Sequence, residues 1–209
     1  VLLKYAVQTG CKTFVYASSM SVYGDATKLP VSELDPTLPK SFYAVGKLAS
    51  EHYLRIYQTF GIKTVALRLF NVYGVGQNMN NLRQGMASIY LAQALQNNKI
   101  VVKGSTDRFR DFVYISDVVR AFIESLKTDI PSGIYNVCYG DKTLVSDILN
   151  LIKEQLNNGT QIEIIDSTPG DQFGIYGDYE KFEKTFGFKN EISFRDGMIE
   201  MIDWAKNKK

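Results

Sequence analysis

The sequence predicts an α/β fold with a parallel sheet, and three observations support this prediction. The opening segment, residues 1–10, has the pattern of an amphipathic helix, and it leads into an apolar run at residues 14–17. A second helix is predicted from about residue 41 to residue 60, with Ser41 as its N-cap. A second apolar run follows at residues 63–70. Strands of this composition that alternate with helices are typical of a parallel sheet.

Residues 25–40 are polar, contain three prolines and show no periodicity, so they form a loop. This loop either covers part of a substrate or only connects two elements.

The later part of the chain is predicted to form a smaller α/β lobe, which begins near residue 76. Further helices are predicted at 82–97, 117–127, 143–156 and from 193 onward, and further strands at 100–102, 112–115, 134–139 and 161–165.

Composition argues against several classes of function. A formal net charge of +2 is too small to indicate nucleic-acid binding. The single histidine, His52, is interpreted as a surface or interface residue, and one histidine argues against His-based triads and zinc sites. Cys11 and Cys138 are far apart in sequence and are interpreted as buried thiols, with no metal site. No apolar run approaches the ~20 residues of a membrane span and no signal peptide is present, which predicts a soluble cytoplasmic protein.

A serine, a tyrosine and a lysine are placed where their side chains could share one site. Ser18 and Ser19 follow the first apolar run, and ligands bind at the carboxyl ends of strands in open α/β sheets. Tyr43 and Lys47 are one helical turn apart and share a face. An ammonium beside a phenol favours the phenolate and lowers its pKa from ~10. Tyr43 could then exchange a proton with a substrate oxygen that Ser19 holds by a hydrogen bond.

This trio suits hydride transfer between a sugar or alcohol carbon and a nicotinamide, because loss of hydride leaves a carbonyl once the proton has gone. The Tyr-x-x-x-Lys spacing alone is weak, since about one such match is expected by chance in a chain with 13 tyrosines. Its weight comes from residues 17–24, Ala-Ser-Ser-Met-Ser-Val-Tyr-Gly, which precede it at the end of a predicted strand.

These segments resemble the extended short-chain dehydrogenase/reductases, in particular the NAD-dependent nucleotide-sugar epimerase/dehydratase branch typified by UDP-glucose 4-epimerase. Further matches extend the resemblance over nearly the whole chain. They are Leu-Arg-Leu-Phe-Asn-Val-Tyr-Gly at 67–74, Arg-Asp-Phe-Val-Tyr-Ile-Ser-Asp at 110–117, Tyr-Asn-Val at 135–137 and Pro-Gly-Asp at 169–171.

The resemblance implies a domain organisation and a cofactor, NAD. Residues 1–75 would form the C-terminal half of an NAD-binding domain with a doubly wound, Rossmann-like parallel sheet, to which parts of 105–140 return. Residues 76–209 would mainly form a smaller α/β lobe that binds a nucleotide-diphosphate sugar. The family's glycine-rich phosphate loop and about 100 residues precede this point, so the chain is expected to be a fragment that binds NAD poorly by itself. A homodimer through the helices at 1–10 and 41–60 is also implied.

The family's functional residues carry over to matching positions of this chain. In the implied reaction, Tyr43 removes the sugar 4-hydroxyl proton while hydride passes to NAD, and hydride then returns to the other face of a 4-keto intermediate. The implied residues are Ser19, Tyr43 and Lys47 for catalysis, Ser18, Tyr43, Lys47 and Phe70 for NAD, and Ser19, Asn71, Arg110 and Asp171 for the sugar nucleotide.

Two of the implied sugar contacts have structural alternatives. Asn71 could instead satisfy backbone groups in a turn. Arg110 offers bidentate donors to phosphate oxygens, but it could instead form an ion pair with Asp111 or Asp117. Asp117 is itself interpreted as the cap of the helix that follows.

Departures from the family pattern keep other functions open. Thr168 stands where many relatives have an arginine, which puts tight UDP binding in doubt and allows a different nucleotide or sugar. Met20 and Ser21 stand where the 4,6-dehydratases carry an Asp-Glu pair, so an epimerase or a reductase is favoured over a dehydratase. A catalytically inactive, truncated NAD-binding module is the alternative from another class.

Overall fold

The computed structural model describes residues 1–81, 85–167 and 172–207. The helices are α1 (Leu2–Gln8), α2 (Phe42–Tyr57), α3 (Met86–Asn97), α4 (Ile115–Glu124), α5 (Val145–Leu156), α6 (Glu180–Phe186) and α7 (Phe194–Lys206), with short 3₁₀ helices at Met20–Tyr23 and Gln58–Phe60. The strands are β1 (Thr13–Ser19), β2 (Lys63–Leu69), β3 (Asn71–Tyr73), β4 (Lys99–Lys103), β5 (Phe109–Arg110), β6 (Phe112–Tyr114), β7 (Gly133–Val137), β8 (Thr143–Leu144), β9 (Gln161–Ile165) and β10 (Gly174–Ile175).

The predicted parallel sheet is present, with strand order β1-β2-β7. Its register places Ser19, Leu69 and Val137 side by side, so the three strands end at one edge. Helix α2 packs against β1 and β2 on one face. The other face is covered by an apolar cluster that includes Val65 and Leu67 of β2 and Phe182 of α6. Both faces of this sheet are therefore covered, as a parallel sheet requires.

A second core lies between helices α3, α5 and α7 and strands β3, β4 and β6. Leu91, Ile152 and Met201 are fully buried there and come from three different helices. Beside this core, β4 pairs with β9 in parallel, β3 pairs with β6 in parallel, and β5 lies between β10 and β8. The predicted strand at 161–165 is confirmed as β9.

Local signals account for several helix boundaries. The Ser41 hydroxyl accepts a hydrogen bond from the Ala44 N–H at 3.1 Å, so the predicted N-cap of α2 is confirmed. The prediction that Asp117 caps α4 is wrong, because β6 continues directly into a helix that begins at Ile115. The Asp117 carboxylate instead accepts from the backbone N–H groups of Glu191 and Ile192 at 3.1 and 3.2 Å.

Other sequence predictions concern isolated side chains and membrane spans. His52 is exposed, Cys138 is buried and Cys11 is half-buried, and both cysteines are free thiols. Within the described ranges, the helices are too short or too polar to cross a bilayer.

Candidate active site

A cleft of about 510 Å³ lies where strands β1 and β2 end. This edge is where ligands bind in open α/β sheets. Segments that are far apart in sequence form its walls: residues 17–21, Tyr43 and Lys47 of α2, residues 69–73, Gln77, residues 85–88 and Phe112.

Lys47 places a positive charge at the end of β1. Its Nζ donates a hydrogen bond to the Ala17 carbonyl oxygen at 2.6 Å. The same Nζ lies 5.4 Å from the centre of the Tyr43 ring and 4.9 Å from that of Tyr16. The predicted proximity of Tyr43 and Lys47 on one face of α2 is therefore present, and the strand end holds the ammonium in place.

Tyr43 faces the cleft rather than the protein interior. It is 57% exposed, although it lies in the first turn of a helix that packs on the sheet. Ser19 and Lys47 line the same cleft. The three residues that sequence reasoning grouped are thus brought together in space.

Ser19 and Ser18 differ in the direction of their hydroxyl groups. Ser19 is the N-cap of the 3₁₀ helix Met20–Tyr23, and its Oγ accepts from the N–H and the hydroxyl of Ser21 at 3.2 and 3.0 Å. The Ser18 hydroxyl donates to Glu51 Oε1 at 2.5 Å and is buried. Neighbouring residues of a strand point to opposite faces, so Ser18 reaches α2. Ser18 is also among the residues that line the cleft, and its role at the cofactor stays a prediction.

Glu51 joins Ser18 to a buried ion pair that sequence reasoning missed. Arg68 donates from Nε to Glu51 Oε1 at 3.0 Å and from Nη2 to Oε2 at 2.7 Å. Arg68 stands opposite Ser18 in the parallel register, so both side chains face α2. The sequence did contain a signal for this ion pair, which is Arg68 in the apolar run that forms β2. An arginine buried in a strand needs a partner for its charge.

Phe70 and Asn71 lie at the back of the cleft. Phe70 is buried, and its N–H donates to the Val137 carbonyl oxygen at 3.1 Å. Asn71 donates from Nδ2 and from its backbone N–H to the Asp111 carbonyl oxygen, at 2.8 and 3.1 Å. The Asn71 amide therefore satisfies a backbone group, as the structural alternative expected, while the residue also lines the cleft. Its contact with a substrate stays a prediction.

Arg110 is buried and lies outside the residues that line the cleft. It donates to the carbonyl oxygens of Phe109, Gln172 and Phe173 at 2.7, 2.9 and 3.1 Å. Burial, together with the nearby guanidinium of Arg108, lowers the pKa of Arg110 from its ordinary value. Its predicted phosphate contact stays a prediction, and the predicted substrate residue Asp171 lies outside the described residues.

Asp111 is a further buried carboxyl group that sequence reasoning did not assign to the site. It accepts from the N–H groups of Tyr139, Gly140 and Gly177 at 2.8, 2.9 and 3.1 Å. Burial raises its pKa to about 7 in spite of these donors. Since its carbonyl oxygen also holds Asn71, Asp111 links the back of the cleft to the segment that follows β7.

The fold and the cleft define a class of protein. A parallel sheet with a serine, a tyrosine and a lysine in one cleft at its carboxyl edge is typical of the dehydrogenase/reductase-like class of α/β proteins. The model of the NAD dependent epimerase/dehydratase family matches residues 1–138, and the chain belongs to this family. The cofactor of the family is NAD.

Relatives of known or assigned activity cover several reactions. The dTDP-4-dehydro-6-deoxyglucose reductase of Escherichia coli is 30% identical over 200 residues, which is 95% of this chain and 63% of the reductase. The UDP-N-acetylglucosamine 4-epimerase of Methanobrevibacter ruminantium, solved with UDP-N-acetylmuramic acid, is 27% identical with a TM-score of 0.94, over 100% of this chain and 67% of that one. The UDP-glucose 4-epimerase of Thermotoga maritima, solved with UDP-glucose, is 26% identical with a TM-score of 0.93. The match covers 99% of this chain and 67% of that one.

The chain is shorter than these relatives. It spans 62–64% of the length of several curated proteins that it matches.

Proposed function

We propose that the complete protein is an NAD-dependent 4-epimerase of a nucleotide-activated sugar and acts through a transient 4-keto intermediate. The observation that carries this proposal is the convergence of Ser19, Tyr43 and Lys47 in one cleft at the carboxyl edge of the sheet. The solved structures of two 4-epimerases with bound UDP-sugars support it, because they share the fold of this chain.

The residues of the cleft fit the nicotinamide end of NAD. An ammonium has three N–H donors, and the hydrogen bond from Lys47 to Ala17 uses one of them. The others are available to ribose hydroxyl groups, and Tyr43, Ser18 and Phe70 line the same cleft. When bound, NAD supplies the acceptor and the donor of hydride.

The side chains divide the proton chemistry among them. Tyr43 takes the proton from the sugar 4-hydroxyl and later returns it to the 4-keto oxygen. Lys47 keeps its ammonium group 5.4 Å from the centre of the Tyr43 ring, beside the site of proton exchange. Ser19 holds the same sugar oxygen by a hydrogen bond and so fixes the geometry of the transfer.

A nucleotide-sugar reductase is the second candidate, since the reductase of Escherichia coli is among the relatives. A 4,6-dehydratase is disfavoured, because Met20 and Ser21 line the cleft where acid/base carboxyl groups would be needed. An epimerase interconverts two sugars without net oxidation, whereas a reductase consumes a reduced nicotinamide. The product therefore distinguishes the two candidates.

The roles of the trio are tested with the full-length protein, NAD and a panel of UDP- and dTDP-sugars, with products identified by NMR. Tyr43→Phe is expected to lower turnover by about 10²–10⁴-fold, the range for loss of a general acid/base group. Tyr57→Phe is the matched control, because Tyr57 lies on the same helix but is not among the residues that line the cleft. Turnover of Tyr43→Phe within tenfold of the parent would remove Tyr43 from this role.

We also propose that the protein forms a homodimer through α1 and α2. The outer surface of these helices exposes large apolar side chains, including Leu2, Tyr5, Tyr53 and Ile56. A second copy that buries them would remove this apolar area from water. Sedimentation velocity of the full-length protein is expected to show a dimer that Tyr53→Arg dissociates, and an unchanged monomer in both samples would refute the proposal.

A further inference from the structure

Ser21 has no part in the proposed proton transfer, yet it makes two contacts with the hydroxyl of Ser19. Its backbone N–H lies 3.2 Å from Ser19 Oγ, and its own hydroxyl donates to the same oxygen at 3.0 Å. Both serines line the cleft. The 3₁₀ helix that begins after Ser19 produces this arrangement, because it turns the chain so that residue 21 comes back over residue 19.

The two contacts limit what the Ser19 hydroxyl can do. A serine hydroxyl has one hydrogen to donate and two lone pairs to accept with. Ser21 fills both acceptor positions, and the direction of its backbone N–H is set by the helix. When both acceptor positions are filled, the single hydrogen of Ser19 is available to an acceptor in the cleft.

From this geometry we propose that Ser21 is a positioning residue that makes Ser19 a hydrogen-bond donor toward the substrate oxygen. The inference rests on the proposed function. A carboxylate at residue 21 would have the opposite effect, because it can only accept and would draw the Ser19 hydrogen away from the cleft.

A hydrogen bond donated by Ser19 stabilises mainly the transition state and the 4-keto intermediate, rather than the bound sugar. A sugar hydroxyl can donate or accept, whereas the oxygen of a 4-keto group can only accept. The hydrogen bond from Ser19 therefore strengthens as the sugar oxygen gains negative charge or becomes a carbonyl oxygen. Interactions that are stronger in the transition state than in the bound substrate change kcat more than KM.

The test uses the full-length protein with NAD and with the sugar that it turns over among the panel of UDP- and dTDP-sugars. Ser21→Ala removes the hydroxyl donor and leaves the backbone donor, so kcat is expected to fall about 3- to 10-fold while KM changes less than about twofold. Ser21→Thr keeps a hydroxyl at the same atom and is expected to restore at least about half of the parent kcat. Thermal unfolding of each variant verifies that it is folded.

A double-mutant cycle with Ser19→Ala separates positioning from direct contact. If Ser21 acts through Ser19, adding Ser21→Ala to Ser19→Ala causes no further loss of kcat beyond about twofold. The same loss in both backgrounds, or a parent-like kcat for Ser21→Ala alone, overturns the inference while the proposed function stands. If the parent protein turns over none of these sugars, the proposed function and the inference fail together.

Discussion

The buried ion pair between Glu51 and Arg68 provides a sharp test of how α2 is attached to the sheet. In Glu51→Gln the side chain keeps its size but loses its charge, and an amide N–H₂ group can face the donors of Arg68. Arginine remains protonated in proteins, so its charge would stay in place without a counter-charge. The two side chains are only 3% and 2% exposed, so water cannot replace the carboxylate.

The expected cost follows from this burial. Removing one partner of a buried ion pair typically costs about 3–5 kcal/mol, because the remaining charge is uncompensated. Domains of ordinary size have a free energy of unfolding of about 5–15 kcal/mol. Glu51→Gln is therefore expected to remove a large fraction of the stability, and the Ser18 hydroxyl is expected to lose its charged acceptor.

Urea denaturation of the full-length protein measures this cost, and the chain contains a matched control. Arg195 and Glu154 form an ion pair at 2.8 Å, close to the 2.7 Å of the buried pair, but their side chains are 59% and 54% exposed. Glu154→Gln is expected to cost less than about 1 kcal/mol, because exposed pairs contribute little. The difference between the two substitutions isolates the effect of burial.

A double variant distinguishes charge burial from lost packing. Replacing both partners with apolar residues, as in Glu51→Leu with Arg68→Met, leaves no buried charge and is expected to cost much less than the sum of the single substitutions. The uncompensated charge is not the cause of the instability if Glu51→Gln costs less than about 1 kcal/mol. The same conclusion holds if the double variant loses as much stability as Glu51→Leu and Arg68→Met lose separately, added together.

Three further predictions concern stability, each measured by denaturant unfolding. The pKa of the Asp111 carboxyl is raised to about 7 from 3.8, so its contribution to stability is present below about pH 4 and is lost as the pH rises through 7. The parent is therefore expected to exceed Asp111→Asn in free energy of unfolding by an amount that shrinks as the pH rises from about 4 to about 7. A difference in free energy of unfolding that stays constant over this range would contradict the assignment. Ser41→Ala removes the N-cap of α2 and is expected to cost about 1 kcal/mol, whereas Ser41→Asp is expected to restore most of it. Ile152→Ala in the second core is expected to cost about 2–5 kcal/mol, against less than about 0.5 kcal/mol for Ile164→Ala, which is 60% exposed; equal costs would contradict the core assignment.

The features that were predictable from sequence are those that contiguous residues define. The strands at the two apolar runs, the Ser41 cap and the shared face of Tyr43 and Lys47 all depend on spacing within one element, and the structure contains each of them. Convergence of Ser19 with this pair followed from a general property of parallel sheets, whose strands end at a common edge.

The partners of individual side chains depended on tertiary structure. Ser18 and Ser19 have the same chemistry, but the pleat of β1 directs one hydroxyl to Glu51 and leaves the other in the cleft. Asp117 binds the backbone at Glu191 rather than capping its own helix, and Arg110 binds backbone carbonyl groups. Such contacts join residues about 30 to 75 positions apart, so the register of strands and the packing of helices decide them, whereas local periodicity does not.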